Sequence, residues 1–299
     1  MSQYISSPSK TAEILKEYDI RLKKTLGQNF IIDTNILKKI VRLSGIGKGE
    51  TILEIGSGIG SLTEILLGSA EKVVCVELDS RLSDVFETTL QYYVPERAIL
   101  IKDDAMKLDY AHLAEKYNIK KIVSNLPYKI AAPLILKILF NAPIISKMYL
   151  TIQKDIADRL LASKGDKNYN AFSVKAGFLA DFKVLFSVQK ASFIPVPHVD
   201  SVFIEVASKS GGNEAGKFKK SYNGGFSEGK IKEFFEFIDA CFLHRRKKML
   251  NSLEKSSLEY IKGKTENIIE YLEKSGKNKN IRAEELSIYE FLELFLLFE

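Results

Sequence analysis

Short apolar runs and amphipathic stretches alternate along the first two-thirds of the chain. Residues 51–55, 72–77, 99–102 and 121–124 are short and rich in Ile, Leu and Val, which predicts buried strands. Between them, residues 61–67 and 81–91 carry apolar positions at helical spacing. Strands alternating with helices predict an α/β fold with a mostly parallel, doubly wound sheet. Residues 148–153, 182–188 and 202–206 add later strands, the last after a Pro-containing loop. The pattern changes at both ends. Residues 1–33 are polar and basic and read as an arm. Residues 34–208 hold the alternating pattern and read as the catalytic domain. Residues 209–230 are rich in Gly, Ser and Lys and read as a flexible linker or insert. Beyond them Ile231, Phe234, Phe235, Ile238, Cys241 and Phe242 recur at helical spacing, and residues 231–299 read as a small all-helical domain.

Composition narrows the chemistry. No apolar run reaches the roughly 18 residues of a membrane helix, so no membrane partner is expected. The first ten residues lack the apolar core of a secretion signal. Cys75 and Cys241 are the only cysteines, and His112, His198 and His244 are far apart. That spacing argues against a disulfide framework or a zinc module, so no metal is expected and a cytoplasmic setting is. The net charge of +6 favours a polyanionic partner. Trp is absent, so any stacking on bases falls to Tyr and Phe.

Leu53-Glu54-Ile55-Gly56-Ser57-Gly58-Ile59-Gly60 ends a predicted strand and opens a helix. Glycines there let backbone approach a ligand closely. A dinucleotide motif needs a third glycine where Ser61 stands. The observed G-x-G-x-G after an acidic residue instead resembles the first motif of class I (Rossmann-like) S-adenosylmethionine-dependent methyltransferases. Glu77 ends the next strand, where a carboxylate can accept hydrogen bonds from a ribose diol. Asp104 follows the strand after that, where an acid can accept from an adenine amine. The ordered set of turn, acid and second acid is far more specific than any member alone.

After the fourth strand comes Ser124-Asn125-Leu126-Pro127-Tyr128, shaped like the motif of enzymes that methylate planar amines. An exocyclic adenine amine is a poor nucleophile because its lone pair is delocalised into the ring. Two acceptors, the Asn125 side-chain oxygen and the Leu126 carbonyl, can hold its N–H groups and turn the lone pair toward a sulfonium methyl. Rate then comes from positioning and electrostatics rather than from a strong base. Pro127 fixes its own φ and biases Leu126 toward extended geometry. Tyr128 offers a face for the base, worth about 1–3 kcal/mol when stacked.

Together these residues resemble the ribosomal RNA adenine N6-dimethyltransferases over nearly the whole chain. Lys24-Thr25-Leu26-Gly27-Gln28-Asn29-Phe30 resembles the family's N-terminal motif, which implies cofactor contact by Asn29 and by backbone near Ile31. The resemblance likewise implies cofactor contact by Gly56, Gly58, Glu77, Asp104 and Asn125. Residues 193–201, Phe-Ile-Pro-Val-Pro-His-Val-Asp-Ser, resemble the late F-x-P-x-P-x-V-D-S motif, which implies that Phe193 stacks on the target base opposite Tyr128. His244-Arg245-Arg246-Lys247-Lys248 and Ile281-Arg282-Ala283-Glu284-Glu285-Leu286 resemble segments of the family's C-terminal domain. Ser57 stands where proline is common, and Asn170 where glycine is usual.

The target adenine must leave its stack to reach a methyl donor. Affinity for RNA is expected from phosphate contacts by Arg21, Lys23, Lys24, Arg245, Arg246, Lys247 and Lys248, the last four on a helix. The resemblance implies S-adenosylmethionine as cofactor and a monomer acting on two adjacent adenines near the 3′ end of small-subunit (16S) rRNA, in an immature 30S particle. Two alternatives stand beside it. One is the macrolide-resistance type, which modifies large-subunit (23S) rRNA. Leu126 and the Val199-Asp200-Ser201 ending favour the small-subunit type. The other is a non-catalytic RNA-binding assembly or transcription factor on the same fold, against which the complete set Glu77, Asp104, Asn125 and Tyr128 argues.

Overall fold

The computed structural model describes residues 4–22, 27–209, 226–244, 247–261 and 263–298. The strands among these described residues are β1 (Phe30–Ile31), β2 (Thr51–Ile55), β3 (Lys72–Glu77), β4 (Ala98–Lys102), β5 (Ile119–Asn125), β6 (Lys147–Gln153), β7 (Ala180–Val188), β8 (Phe193–Ile194) and β9 (Ser201–Ser208). Seven of them form one sheet in the order β4-β3-β2-β5-β6-β9-β7. The pairings from β4 to β6 are parallel, whereas β9 runs antiparallel to both β6 and β7. The expected α/β sheet is present, with every predicted strand in it.

Burial explains the patterns. Ile52 to Ile55, Val73 to Glu77 and Met148 to Ile152 are buried without a break, as expected for central strands covered on both faces. Edge strand β7 is exposed at several positions. Side-chain caps fix the crossing helices. Asp33 caps Thr34–Leu43 through Asn35 N–H at 2.8 Å, and Asp109 caps Tyr110–Tyr117 through His112 N–H at 3.0 Å. Asp79 likewise caps Ser80–Thr89.

Strand order reverses at β2 and β5: from β2 the chain adds β3 and β4 on one side, and β5 and β6 extend the other. The carboxyl ends of strands flanking such a point form a crevice. A separate antiparallel pair, β1 with β8, sets Ile31 opposite Phe193.

The chain divides into two compact units, residues 1–157 with 180–212 and residues 158–179 with 213–299. The first holds the sheet. Among its described residues the second is helical, with Ala171–Leu179, Glu228–Cys241, Met249–Glu254, Thr265–Lys274 and Ile288–Leu296. Residues 158–179, read from sequence as part of the sheet domain, group with the C-terminal helices. The helix Ala171–Leu179 is apolar around most of its circumference and needs cover on several faces. Phe178 meets Phe234 at 5.1 Å between ring centroids, and Phe234 meets Phe295 at 5.4 Å. Asn170 accepts from Phe172 N–H at 2.9 Å, so it opens this helix as a capping residue, a task glycine performs less well.

Two further expectations change. The predicted linker reached residue 230, but helix Glu228–Cys241 already begins there, capped by Ser227; residues 210–225 lie outside the described residues. The basic run at 244–248 is not helical where it is described. Its helix ends at Cys241 with Phe242 as the cap, and Lys247 and Lys248 are exposed in the connection before Met249–Glu254. Arg245 and Arg246, like Lys23 and Lys24, lie outside the described residues. Arg21 is described and exposed.

Candidate active site

The turn after β2 carries the first part of the site. Gly56 N–H donates to the Val76 carbonyl at 2.7 Å, which continues the parallel β2–β3 ladder up to the turn. Gly56 has φ +76° and Gly58 has φ +57°, both left-handed. A Cβ on Gly56 would lie 2.9 Å from Pro127 Cγ, and one on Gly58 would lie 2.6 Å from Phe30 Cε1. Here the glycines serve both conformation and close approach.

Glu77 closes this turn from β3. Its Oε2 accepts from Gly58 N–H and its Oε1 from Asp79 N–H, each at 2.9 Å. It is 7 % exposed, and burial raises its pKa against the pull of those amides. Glu77 also lines the adjacent cavity. After β4, Asp104 accepts from Met106 N–H at 2.8 Å and faces the same cavity.

That cavity, about 250 Å³, lies at the switch point and is lined by Gly56, Glu77, Asp104, Asn125 and the stretch Gly27–Phe30 among others. Sequence reading missed how that stretch is anchored. Gln28 Nε2 donates to Asp79 Oδ2 at 3.1 Å, and Arg81 grips the same carboxylate at 2.7 and 3.1 Å. The Arg81 guanidinium holds Asp79 down at a pKa of about 2.

Asn125 ends β5 at the cavity wall. Its Nδ2 donates to the Asn29 carbonyl at 2.7 Å. That carbonyl can only accept, which fixes the amide orientation. Asn125 Oδ1 is left buried without a hydrogen-bond partner among the described residues. A smaller cavity of about 20 Å³ lies beside it, lined by Ile31, Glu54, Gly56, Ser57, Ser61 and Asn125 among others. Ser57 Oγ and Ser61 Oγ are also buried without partners. Such groups are rare in folded proteins unless a ligand or water completes them. Glu54 accepts from Thr63 Oγ1 at 2.6 Å, and burial pushes its carboxyl up to about 8. The Ser57 and Ser61 hydroxyls and the Glu54 carboxyl, protonated at neutral pH, are donors and acceptors that suit the amino-acid end of S-adenosylmethionine. Glu77 and Asp104 suit its ribose and adenine.

A second cavity, of about 290 Å³, is walled by Tyr128, Lys129, Gln153, Pro195, Pro197 and His198 and shares Gly27, Gln28 and Asn29 with the first. Leu126 is buried, and its N–H donates to the Thr151 carbonyl at 3.1 Å. Tyr128 O–H meets Ser201 Oγ at 2.8 Å, and burial raises its phenol to about 12, so it stays neutral at physiological pH. Phe193 is 1 % exposed and meets the Tyr128 ring edge-on, with centroids 6.4 Å apart at 65°. That is not an open parallel slot for a base. In this conformation Phe193 supports Tyr128 from behind, because its strand β8 is pinned to β1. Asn29, Ile31, Gly56, Gly58, Glu77, Asp104, Asn125, Leu126, Pro127 and Tyr128 therefore converge, whereas Phe193 faces the core.

A sequence profile described as ribosomal RNA adenine dimethylase matches residues 19–299. The chain belongs to this family. It is therefore a methyltransferase that uses S-adenosylmethionine. Curated relatives agree along their length. A protein of Geobacillus thermodenitrificans, named ribosomal RNA small subunit methyltransferase A, is 37 % identical over 98 % of this chain and 97 % of its own. One of the same name from Enterococcus faecalis is 35 % identical over 97 % and 95 %. Among solved structures, a dimethyladenosine transferase from Plasmodium falciparum is 26 % identical, with a TM-score of 0.69 over 88 % of this chain and 95 % of that one. The 23S rRNA methyltransferase ErmE aligns at 19 % identity with a TM-score of 0.60, over 90 % of this chain and 98 % of its own, a likeness of fold. No helix among the described residues is long and apolar enough to cross a membrane.

Proposed function

We propose that this rRNA adenine dimethylase transfers methyl groups to N6 of two adjacent adenines near the 3′ end of small-subunit (16S) rRNA. Its substrate is an immature 30S particle, and the enzyme works as a monomer in the cytoplasm. The near full-length relatives named small subunit methyltransferase A support the choice of subunit.

The observation that carries the chemistry is the orphaned Oδ1 of Asn125, whose amide is locked by the Asn29 carbonyl. An adenine amine offers the N–H that this oxygen lacks. With the Leu126 carbonyl as second acceptor, the two N–H groups are drawn out of the ring plane and the lone pair is freed. S-adenosylmethionine supplies an electrophilic methyl on its sulfonium. Gly56, Gly58, Glu77, Asp104, Asn29 and Ile31 would hold that cofactor. Tyr128, neutral and tethered by Ser201, presents its ring to the extruded base. Neutral Asn suffices as partner because the aminium formed on transfer sheds its proton readily. Arg21, Lys23, Lys24, Arg245, Arg246, Lys247 and Lys248 contact RNA phosphates.

Transfer of tritium from labelled cofactor to immature small subunits tests this reading. Labelling of small subunits is expected. Labelling of naked large-subunit RNA, with none in small subunits, would assign the resistance-type reaction instead.

A further inference from the structure

The second cavity contains a polar group that the amine-holding chemistry leaves unused. Gln153 is the last residue of β6, half-buried on the cavity wall beside Tyr128 and Lys129. No hydrogen bond from its side-chain amide is made to any described residue. Its position follows from register. Asn125 pairs with Thr151 across β5 and β6, so these two side chains share a face of the sheet. Gln153 lies two residues on, about 7 Å along the same face. Across β9 it pairs with Ser201, whose hydroxyl holds Tyr128. One face thus carries Asn125, Thr151, Gln153 and the Ser201–Tyr128 pair. Two atoms of that row, Asn125 Oδ1 and Thr151 Oγ1, are buried without partners among the described residues.

A row of unspent polar groups running from the amine acceptor into the base cavity suits a heterocycle with several polar atoms on one edge. Adenine has its amine flanked by two ring nitrogens, N1 and N7, and both accept. A base whose amine sits at Asn125 directs one of these along the row. Gln153 Nε2 is an N–H donor on the wall of that cavity. The pairing of an amide with an adenine edge is a common means of reading this base. We infer that Gln153 is a specificity-determining residue, donating from its side-chain amide to a ring nitrogen of the target adenine beside the amine. Cytosine and guanine have no counterpart of N7 beside an amine, so a contact at N7 selects adenine, whereas a contact at N1 would be shared with N3 of cytosine. The inference rests on the reading of this cavity as the acceptor site.

The test couples a change in the protein to a change in the base. Small subunits are reconstituted with rRNA whose target adenines are replaced by 7-deazaadenine or by 1-deazaadenine, each lacking one ring nitrogen. Wild type should lose about 10- to 100-fold in kcat/KM on one analogue, which identifies the nitrogen. Gln153→Ala should lose a similar factor on natural adenine and be indifferent to that analogue. Gln153→Glu, which cannot donate, should fall at least as far as the alanine variant. Cofactor affinity by calorimetry should be unchanged in both, since Gln153 does not line the cofactor cavity, and this shows that the fold is intact. If Gln153→Ala still discriminates against the analogue as wild type does, or if wild type accepts both analogues equally well, Gln153 does not read the base. Absence of methyl transfer by wild type to natural adenine would instead overturn the assignment of the reaction, a result distinct from either.

Discussion

The two cavities on either side of Asn29 are built on different principles. The cofactor cavity is defined by backbone and strand ends. Glycine conformations, two amides on Glu77 and the Gln28–Asp79–Arg81 chain leave its wall little freedom. The neighbouring cavity is formed by side chains on a strand end and a Pro-rich loop, with Val196 61 % exposed at its lip. One cavity suits a cofactor of constant shape. The other, in the proposed reaction, would admit a base that arrives attached to a large RNA. Asn125 lines the first, and in the proposed reaction its oxygen would hold the amine of a base seated in the second.

If that division holds, removing Asn125 should separate the two functions most sharply. Asn125→Ala should lower kcat by about 10²–10³-fold, as loss of one preorganised partner does, while RNA affinity by filter binding stays nearly unchanged. Turnover within a few-fold of wild type would contradict the amine-acceptor role. Glu77→Ala strikes the cofactor side alone. It should weaken cofactor binding about 10- to 100-fold in calorimetry, through loss of charge-assisted hydrogen bonds and of the pin on Gly58.

Glu54 offers a pH-dependent version of the same contrast. An acid whose pKa is higher folded than unfolded binds its proton more tightly in the native state. That stabilisation is complete below about 4.5 and is lost as pH rises toward about 8. Glu54→Gln, which keeps an acceptor for Thr63, should flatten the fall in stability across this window. Its Tm at pH 8 should exceed that of wild type, by roughly 2–4 °C for each kcal/mol recovered. Ser201→Ala gives the smallest effect. It frees the Tyr128 hydroxyl at a cost of about 1 kcal/mol, so kcat/KM should fall a few-fold with cofactor affinity unmoved.

The contrast also marks what was legible in the sequence. Strands β2 to β5 announce themselves as short Ile- and Val-rich runs, and the residues that follow them in order line one cavity. Glycine at 56 and 58, acid at 77 and acid at 104 are each local signals at a strand end. The acceptor side depends on contacts between distant residues. The Asn29–Asn125 hydrogen bond spans 96 residues and Gln28–Asp79 spans 51, and neither has a local pattern. Phe193 lay in a motif that suggested an open ring, yet pairing of β8 with β1 turns it inward. Residues 158–179 sit between two sheet strands in sequence but pack with later helices, because their apolar surface is met there by Phe234. Glu54 reads as part of a glycine motif, and only the fold reveals it as a buried acid of raised pKa.

The central claim is that the Asn125 loop dimethylates adjacent adenines in small-subunit rRNA. Mapping methylated bases on rRNA from a strain lacking this gene tests it directly. Two adjacent dimethyladenines near the 3′ end of the small-subunit rRNA should be absent, restored by the wild-type protein and not by Asn125→Ala. Persistence of both marks in the deletion strain, or their full restoration by Asn125→Ala, would contradict the account.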